Sequence, residues 1–406
     1  MNDLNNFIEK ELEKRKFDYK SSPAYILEHY NIEKQNIEAY NGRQLLEMLQ
    51  NADDASENAT EKKVLIKLTD NYLTIANNGE PFNEDGFRSI IYSNISSKTL
   101  QQNKIGQKGL GFRSILSWSD EVIINSGKTK LAFSEIIAKT FLEDLIAESS
   151  EISTFLKQKS RIKHPIATLR VPKLLNGESD SENSFDTTIS IKLKKNIIDD
   201  VQTQIFKVIN KETLIFLNHI EIIEIDSPKR KIIYKKSFFD KSKNEVSVES
   251  NNLLEEITET KTWQVKRRIG THKEKNFELA IAWNKELNET ENVLFSYFKT
   301  EVRFPFPALL HGTFELTQDR NQLVNDTEGH NEFLTGELSE LLIETALEIS
   351  QNPKVSYFPL KILNIDFDKV DNVFQKFNFK ESLIEKIKLN NVCIREIVIA
   401  ATKQLS

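Results

Sequence analysis

Residues 47–55 read Glu47-Met48-Leu49-Gln50-Asn51-Ala52-Asp53-Asp54-Ala55, and the spacing of their polar groups decides how the first half of the chain is read. Leu45, Leu46, Met48 and Leu49, extended by Ala52 and Ala55, fall on one face at helical spacing. Positions i, i+4 and i+7 of a helix are neighbours, so Glu47, Asn51 and Asp54 point the same way at the edge of that apolar stripe. A carboxylate, an amide and a second carboxylate form an all-oxygen donor set. Such a set suits Mg²⁺, which prefers oxygen ligands and keeps several of its waters. A solvated polar helix face with a capping role accounts for the same residues, so the stretch needs its neighbours to decide it.

Reading outward, Lys63–Leu68 (KVLIKL) and Tyr72–Ala76 (YLTIA) are expected strands about a turn at Asp70-Asn71. The second strand ends at Asn77-Asn78-Gly79-Glu80-Pro81-Phe82, which alone is an ordinary Asn-Gly turn. A helix start at Asn83-Glu84-Asp85 leads into Gly86–Tyr92, and the polar run Ser93–Lys104 reads as a loop. Residues 106–114, GQKGLGFRS, then place three of the chain's 12 glycines within six residues. Glycine lets backbone N–H groups approach a phosphate, and the helix-like run that follows adds a favourable partial charge. A flexible turn has the same composition. The order G-x-x-G-x-G is neither the Walker nor the Rossmann pattern, and the GKT at 127–129 has Val122 where a Walker loop needs glycine.

Taken in order, helical E-x-x-x-N, a strand ending in N-G, S-S-K-T and G-x-x-G-x-G-F resemble the Bergerat-fold GHKL ATPases, among them the ninety-kilodalton heat-shock chaperones, gyrase B, MutL and the histidine kinases. The phrases LLEMLQNADDA, NNGEPF, SSKT and IGQKGLGFRSIL are most similar to the sacsin N-terminal ATP-binding-like branch, and the resemblance is strong over residues 35–195. It implies a Bergerat α/β sandwich with a mixed sheet over residues 1–200. A smaller α+β middle domain over 201–330 and a helical C-terminal region over 331–406 are expected to follow.

The resemblance also implies roles. Glu47 matches the base that orients the attacking water, and Asn51 the amide that holds Mg²⁺ against the phosphates of ATP. Asp54 matches a third polar position near the nucleotide. Asn77 stands where many relatives carry an adenine-reading Asp, a departure that removes a charge but keeps an acceptor oxygen, and Gly79 matches the glycine that follows. Ser97 and Lys98 match the lid serine and lysine. Gly106, Gln107, Lys108, Gly109, Leu110, Gly111 and Phe112 match the loop that covers the phosphates, and Thr187 the threonine that holds adenine through water. In FELTQDRNQL (314–323), Arg320 takes the place of an arginine delivered to the γ-phosphate. Guanidinium forks suit phosphate oxygens. A carboxylate at 47 favours hydrolysis over transfer to histidine, and His29 is the only histidine before the motif.

The expected function is therefore Mg²⁺-dependent ATP binding and slow hydrolysis. It would drive a conformational or dimerisation switch that acts on a partner protein, and the sacsin-like branch points to genome defence. Two alternatives stay open: a nucleotide-sensing module that does not hydrolyse, and a chaperone-like client binder.

Composition sets outer bounds. Of 406 residues, 39% are hydrophobic and 29% charged, enough for real cores. A net charge of −6 argues against a nucleic-acid binder as a whole, although Lys229–Lys236 and Lys266–Arg268 are locally basic. Cys393 is the only cysteine, which excludes an intrachain disulfide and fits a reducing, cytoplasmic setting. No apolar run is long enough for a membrane span, and no histidine pattern has zinc spacing. Elsewhere, a hairpin is expected at 121–133, helices at 135–160, and strands at 165–172 and 186–194. Beyond these come a helix at 201–220, strands at 220–236, 243–249, 262–268 and 277–284, and helices at 330–350 and 366–402.

Overall fold

The computed structural model describes residues 3–39, 42–92, 111–175, 185–240, 244–284, 293–317, 322–324, 329–350 and 362–389. The described residues fall into two units. The first draws on Met1–Asn210, Asn218–Lys235 and Ser250–Thr258, and the second on Lys211–Leu217, Lys236–Glu249 and Glu259–Ser406. Both mix helices with strands. Among the described residues, no helix is long and apolar enough to cross a membrane.

The first unit opens with α1 (Asp3–Ser21), α2 (Ala24–Ala39) and α3 (Gln44–Ala55). Next come β1 (Lys63–Leu68), β2 (Tyr72–Asn77), α4 (Glu84–Ile91), a 3₁₀ turn at Gly111–Ser117, β3 (Ser119–Ser126) and β4 (Thr129–Ser134). Helices α5 (Glu135–Glu148) and α6 (Ser150–Lys159), a 3₁₀ turn at Thr168–Arg170, β5 (Lys173–Leu174), β6 (Thr187–Leu193), α7 (Ile198–Val208) and β7 (Ile222–Ser227) follow. Side-chain caps set several helix starts. Asn83 Oδ1 accepts from Gly86 N (2.9 Å), Ser134 Oγ from Ile137 N (3.2 Å) and Ser149 Oγ from Ile152 N (3.4 Å).

The strand order is β7-β1-β2-β6-β3-β4-β5, antiparallel throughout except for the parallel β1/β7 pair. Alternation assigns one face to the core. Ile223 and Ile225, Val64 and Ile66, Leu73 and Ile75, Ile189 and Ile191, Val122 and Ile124, and Leu131 and Phe133 are all buried and lie in register across the strands. The other face carries Lys67, Tyr72 and Lys192, all exposed. A half-solvated sheet of this kind needs helices on one side only.

The second unit contains α8 (Thr213–Phe216), the second half of β8 (Arg230–Asp240) and most of β9 (Glu245–Asn252) and β10 (Ile257–His272). It also holds β11 (Lys275–Trp283), β12 (Val293–Ser296), β13 (Phe298–Arg303), β14 (Leu309–Gly312), α9 (His330–Ser350), α10 (Asn372–Lys376) and α11 (Phe379–Leu389). Its strands run β13-β12-β14-β11-β10-β9, and β8, whose first six residues belong to the first unit, pairs next to β9. Residues of these strands share one apolar core with the helices, including Leu279, Leu310, Leu338, Leu342, Phe374 and Phe379. Arg268 ties the sheet to α9 through Glu337 (2.7 Å), Glu340 (3.2 Å) and Glu344 (2.7 Å).

Two expectations differ from the fold, each for a physical reason. Residues 165–172 are not a strand but form the Thr168–Arg170 turn. Their donors are taken by a side chain, since Glu33 accepts from Thr168 N (2.5 Å) and Leu169 N (3.0 Å). The expected helix at 201–220 stops at Val208, resumes as α8 and ends before 218, because Asn218, His219 and Ile220 give their N–H groups to Asp53. Strands β12 to β14 lie outside those expectations, although β13 alternates buried Phe298, Thr300 and Val302 with Lys299, Glu301 and Arg303.

Candidate functional site

Helix α3 is buried almost all round. Its partly open positions are Glu47, Asn51 and Ala55, one turn apart on a single stripe. Asp54 borders that stripe on the Glu47 side but is buried. Arg43, one residue before the helix, forms an ion pair with the Glu47 carboxylate. Among the described residues no group of three or more His, Cys, Asp or Glu is placed to hold a metal. A hydrated Mg²⁺ held by one amide oxygen and by phosphate oxygens needs no such group, and the partly open Asn51 offers that amide.

The adjacent Asp53 does different work. It is fully buried, and its carboxylate accepts from Asn218 N (3.1 Å), His219 N (2.9 Å) and Ile220 N (2.8 Å). It pins α3 to the chain that leads into β7. Sequence reasoning passed over it, although the Asp53-Asp54 pair was a signal, since only one of two adjacent carboxylates on a helix can join the Glu47–Asn51 stripe.

The C-terminal end of α3 packs on the turn after β2. Gly79 has φ +136°, and a Cβ there would stand 2.1 Å from the Ala55 carbonyl oxygen. Only glycine fits that approach. Glu80 N donates to Ala55 O (2.9 Å), and the Ser56 hydroxyl lies within hydrogen-bond distance of both Ala52 O (2.7 Å) and Asn78 O (3.0 Å). Asp186 Oδ2 accepts from Gly79 N (2.8 Å), joining the turn to the start of β6. No sequence pattern announced Asp186.

Asn77 ends the core face of β2, and register places it opposite Thr187 on β6. Thr187 in turn faces Ser126 on β3, and Ser126 faces Thr129 on β4. An otherwise apolar face therefore finishes in a polar row, Asn77-Thr187-Ser126-Thr129, all buried. The Thr187 and Ser126 hydroxyls are 2.7 Å apart, and Ser126 Oγ accepts from Phe82 N (2.9 Å). Asn77 Nδ2 donates to Asn78 O (3.2 Å), which leaves its Oδ1 as the acceptor.

The N-terminal end of α3 meets the 3₁₀ turn that holds Gly111 and Phe112. Gln44 Nε2 donates to Ser117 Oγ (2.8 Å), while its Oε1 accepts from Gln204 Nε2 (2.7 Å). Phe112 is buried. Arg113 is 1% exposed and donates to Ile90 O (2.8 Å). Burial pushes its pKa down to about 10, and the nearby Glu33 carboxylate partly opposes this.

The described geometry thus gives α3 two dressed ends. Asn77, Gly79 and Thr187 gather at its C-terminal end, and the Gly111–Ser117 turn with Glu47 at its N-terminal end. Eight residues separate Glu47 from Ala55, about 12 Å along a helix axis. Ser97, Lys98, Gly106, Gln107, Lys108, Gly109, Leu110 and Arg320 lie outside the described residues, as do Cys393 and the polar loop Asn176–Ser184.

The basic run at 229–236 is spoken for. Lys229 pairs with Asp199 (3.5 Å) and Lys231 with Asp226 (3.1 Å), Arg230 stacks on Phe206 and Tyr234, and buried Lys236 donates to Leu217 O (2.8 Å). This is the behaviour of a structural strand face.

No protein-family model matches the chain, and no curated protein matches it.

Proposed function

We propose that the first unit is a Bergerat-type ATP-binding sandwich that binds ATP with Mg²⁺ and hydrolyses it slowly. The single observation that carries this reading is the pairing of α3's two ends. One end packs on the close-fitted Gly79, which follows the β2 end where Asn77, with its acceptor Oδ1, lies opposite Thr187. The other carries a carboxylate beside the turn at the end of the glycine-rich motif. A nucleotide laid along the helix puts its base amino group against an acceptor and its phosphates toward glycine backbone N–H groups. Asn51 would hold Mg²⁺, which when bound offsets phosphate charge. Glu47 orients a water, takes its proton as that water attacks the γ-phosphorus, and leaves ADP and phosphate. Loop glycines 106 to 111, Ser97 and Lys98 complete the phosphate side in this reading. The output is a conformational or dimerisation switch read by a partner protein, in a cytoplasmic setting that the single cysteine suggests and a defence role that the sequence resemblance suggests.

The Arg43–Glu47 ion pair favours a second reading, a nucleotide-sensing module with little turnover, because the pair must open before Glu47 can reach a water. A Glu47→Ala variant separates the two. For a hydrolase, ATP binding persists and phosphate release falls at least about a hundredfold, the scale of a lost general base. Unchanged binding together with unchanged hydrolysis removes Glu47 from its role.

A further inference from the structure

The 3₁₀ turn Gly111–Ser117 is held by charge as well as by Gln44. Behind it lies a buried cluster built largely by the N-terminal helices: Arg15 on α1, Glu33 on α2, Arg113 in the turn and Arg170 at the end of the Thr168–Arg170 turn, all less than a tenth exposed. Glu33 is the buried carboxylate among them. Its two oxygens take the Thr168 and Leu169 N–H groups, and its helix α2 packs directly on the Gly111–Ser117 turn; burial raises its pKa, and the charges of Arg113 and Arg170 oppose that rise. Arg15 and Arg170 flank the Tyr92 ring, 4.9 and 5.5 Å from its centroid, and the Tyr92 hydroxyl donates to Glu11 of α1. Tyr92 and Gly111 are the described residues at the two ends of the stretch that carries the motif, and the same cluster grips both flanks.

We propose that Glu33 is a positioning residue for nucleotide binding: it neutralises Arg113 and Arg170 and so fixes the Gly111–Ser117 turn without touching the nucleotide. A buried charge that loses its partner is costly, so the turn, which has no strand ladder of its own, is the element that yields when the carboxylate is removed. The inference rests on the ATP reading above, and its test has an arm that needs no nucleotide.

The test compares wild type, Glu33→Gln and Leu142→Ala. Leu142 is fully buried in the α5 core of the same unit, so its variant is a destabilised control. Hydrogen exchange of the amides of residues 112–117 is measured without nucleotide, and ATP affinity at a temperature where all three proteins are folded. Glu33→Gln is expected to speed exchange in the turn at least about tenfold and to weaken ATP at least about tenfold, while Leu142→Ala does neither. Unchanged exchange in Glu33→Gln overturns the proposal. So does faster exchange with unaltered ATP affinity, or an equal loss of affinity in Leu142→Ala. If Glu33→Gln does not fold, Glu33→Asp, which keeps the charge but draws the carboxylate back from its partners, is read by the same criteria. If the wild type binds no ATP, the ATP reading fails, and exchange alone decides whether Glu33 holds the turn.

Discussion

Asp53 and Asp54 are adjacent and chemically identical, yet the fold gives them separate tasks, so exchanging each for alanine should give opposite phenotypes. Asp53 accepts three backbone N–H groups at 2.8–3.1 Å from a fully buried position. Hydrogen bonds to a charged group contribute about 1.5–3 kcal/mol each, and orphaned buried donors cost on the same scale. Relief of the carboxylate's own desolvation offsets part of that sum. The net for Asp53→Ala is about 4 kcal/mol, roughly 8–16 °C of melting temperature for a unit of this size. Asp53→Asn keeps Oδ1 for His219 and Ile220 but turns an amide N–H₂ toward Asn218 N, and should cost about half as much. Asp54→Ala should lower the melting temperature by less than about 4 °C and act on ATP affinity instead. Thermal and urea unfolding of the three variants, followed by ATP titration, make the comparison. A loss below about 1 kcal/mol for Asp53→Ala, or equal losses at the two positions, would refute the division of labour.

Two further outcomes follow from the same geometry. Gly79→Ala places a Cβ against a backbone oxygen that cannot move aside, at a φ that alanine rarely adopts. It should lose at least about 3 kcal/mol, visible as a lower urea midpoint, and a midpoint at the wild-type value would show that the α3–Gly79 contact is not tight. His29 is held neutral: burial first, then Arg170 and Arg15, bring its pKa from 6.5 down to about 3, and its Nδ1 lies within hydrogen-bond distance of the Tyr19 hydroxyl at 3.1 Å. A depressed folded pKa contributes stability that is complete above about pH 6.5 and is lost as pH falls toward about 3. Wild type should therefore lose melting temperature faster than His29→Gln between pH 7 and 4, and parallel pH profiles would contradict this.

Much of the site was legible because it rests on periodicity and composition. The i, i+4 spacing on α3, the alternation of β1, β2 and β6, and the hairpin at Gly127-Lys128 each express a local rule. The structure adds what pairing across distance supplies. Register alone aligns Asn77 with Thr187, Ser126 and Thr129. Asp53 and Glu33 spend their carboxylates on backbone donors some 130 to 170 positions away, and no window of sequence reveals those partners. For the same reason residues 165–172 resembled a strand and 201–220 a helix: propensity was read correctly, and a distant side chain overrode it.

The central claim is that α3 lies along a nucleotide. Titration of the purified protein with ATP, with and without Mg²⁺, alongside Asn51→Ala tests it most directly. The account predicts one ATP per chain, bound more tightly with Mg²⁺, and loss of the Mg²⁺-dependent gain in Asn51→Ala. Absence of binding at millimolar ATP, or a Mg²⁺ dependence unchanged by Asn51→Ala, would contradict it.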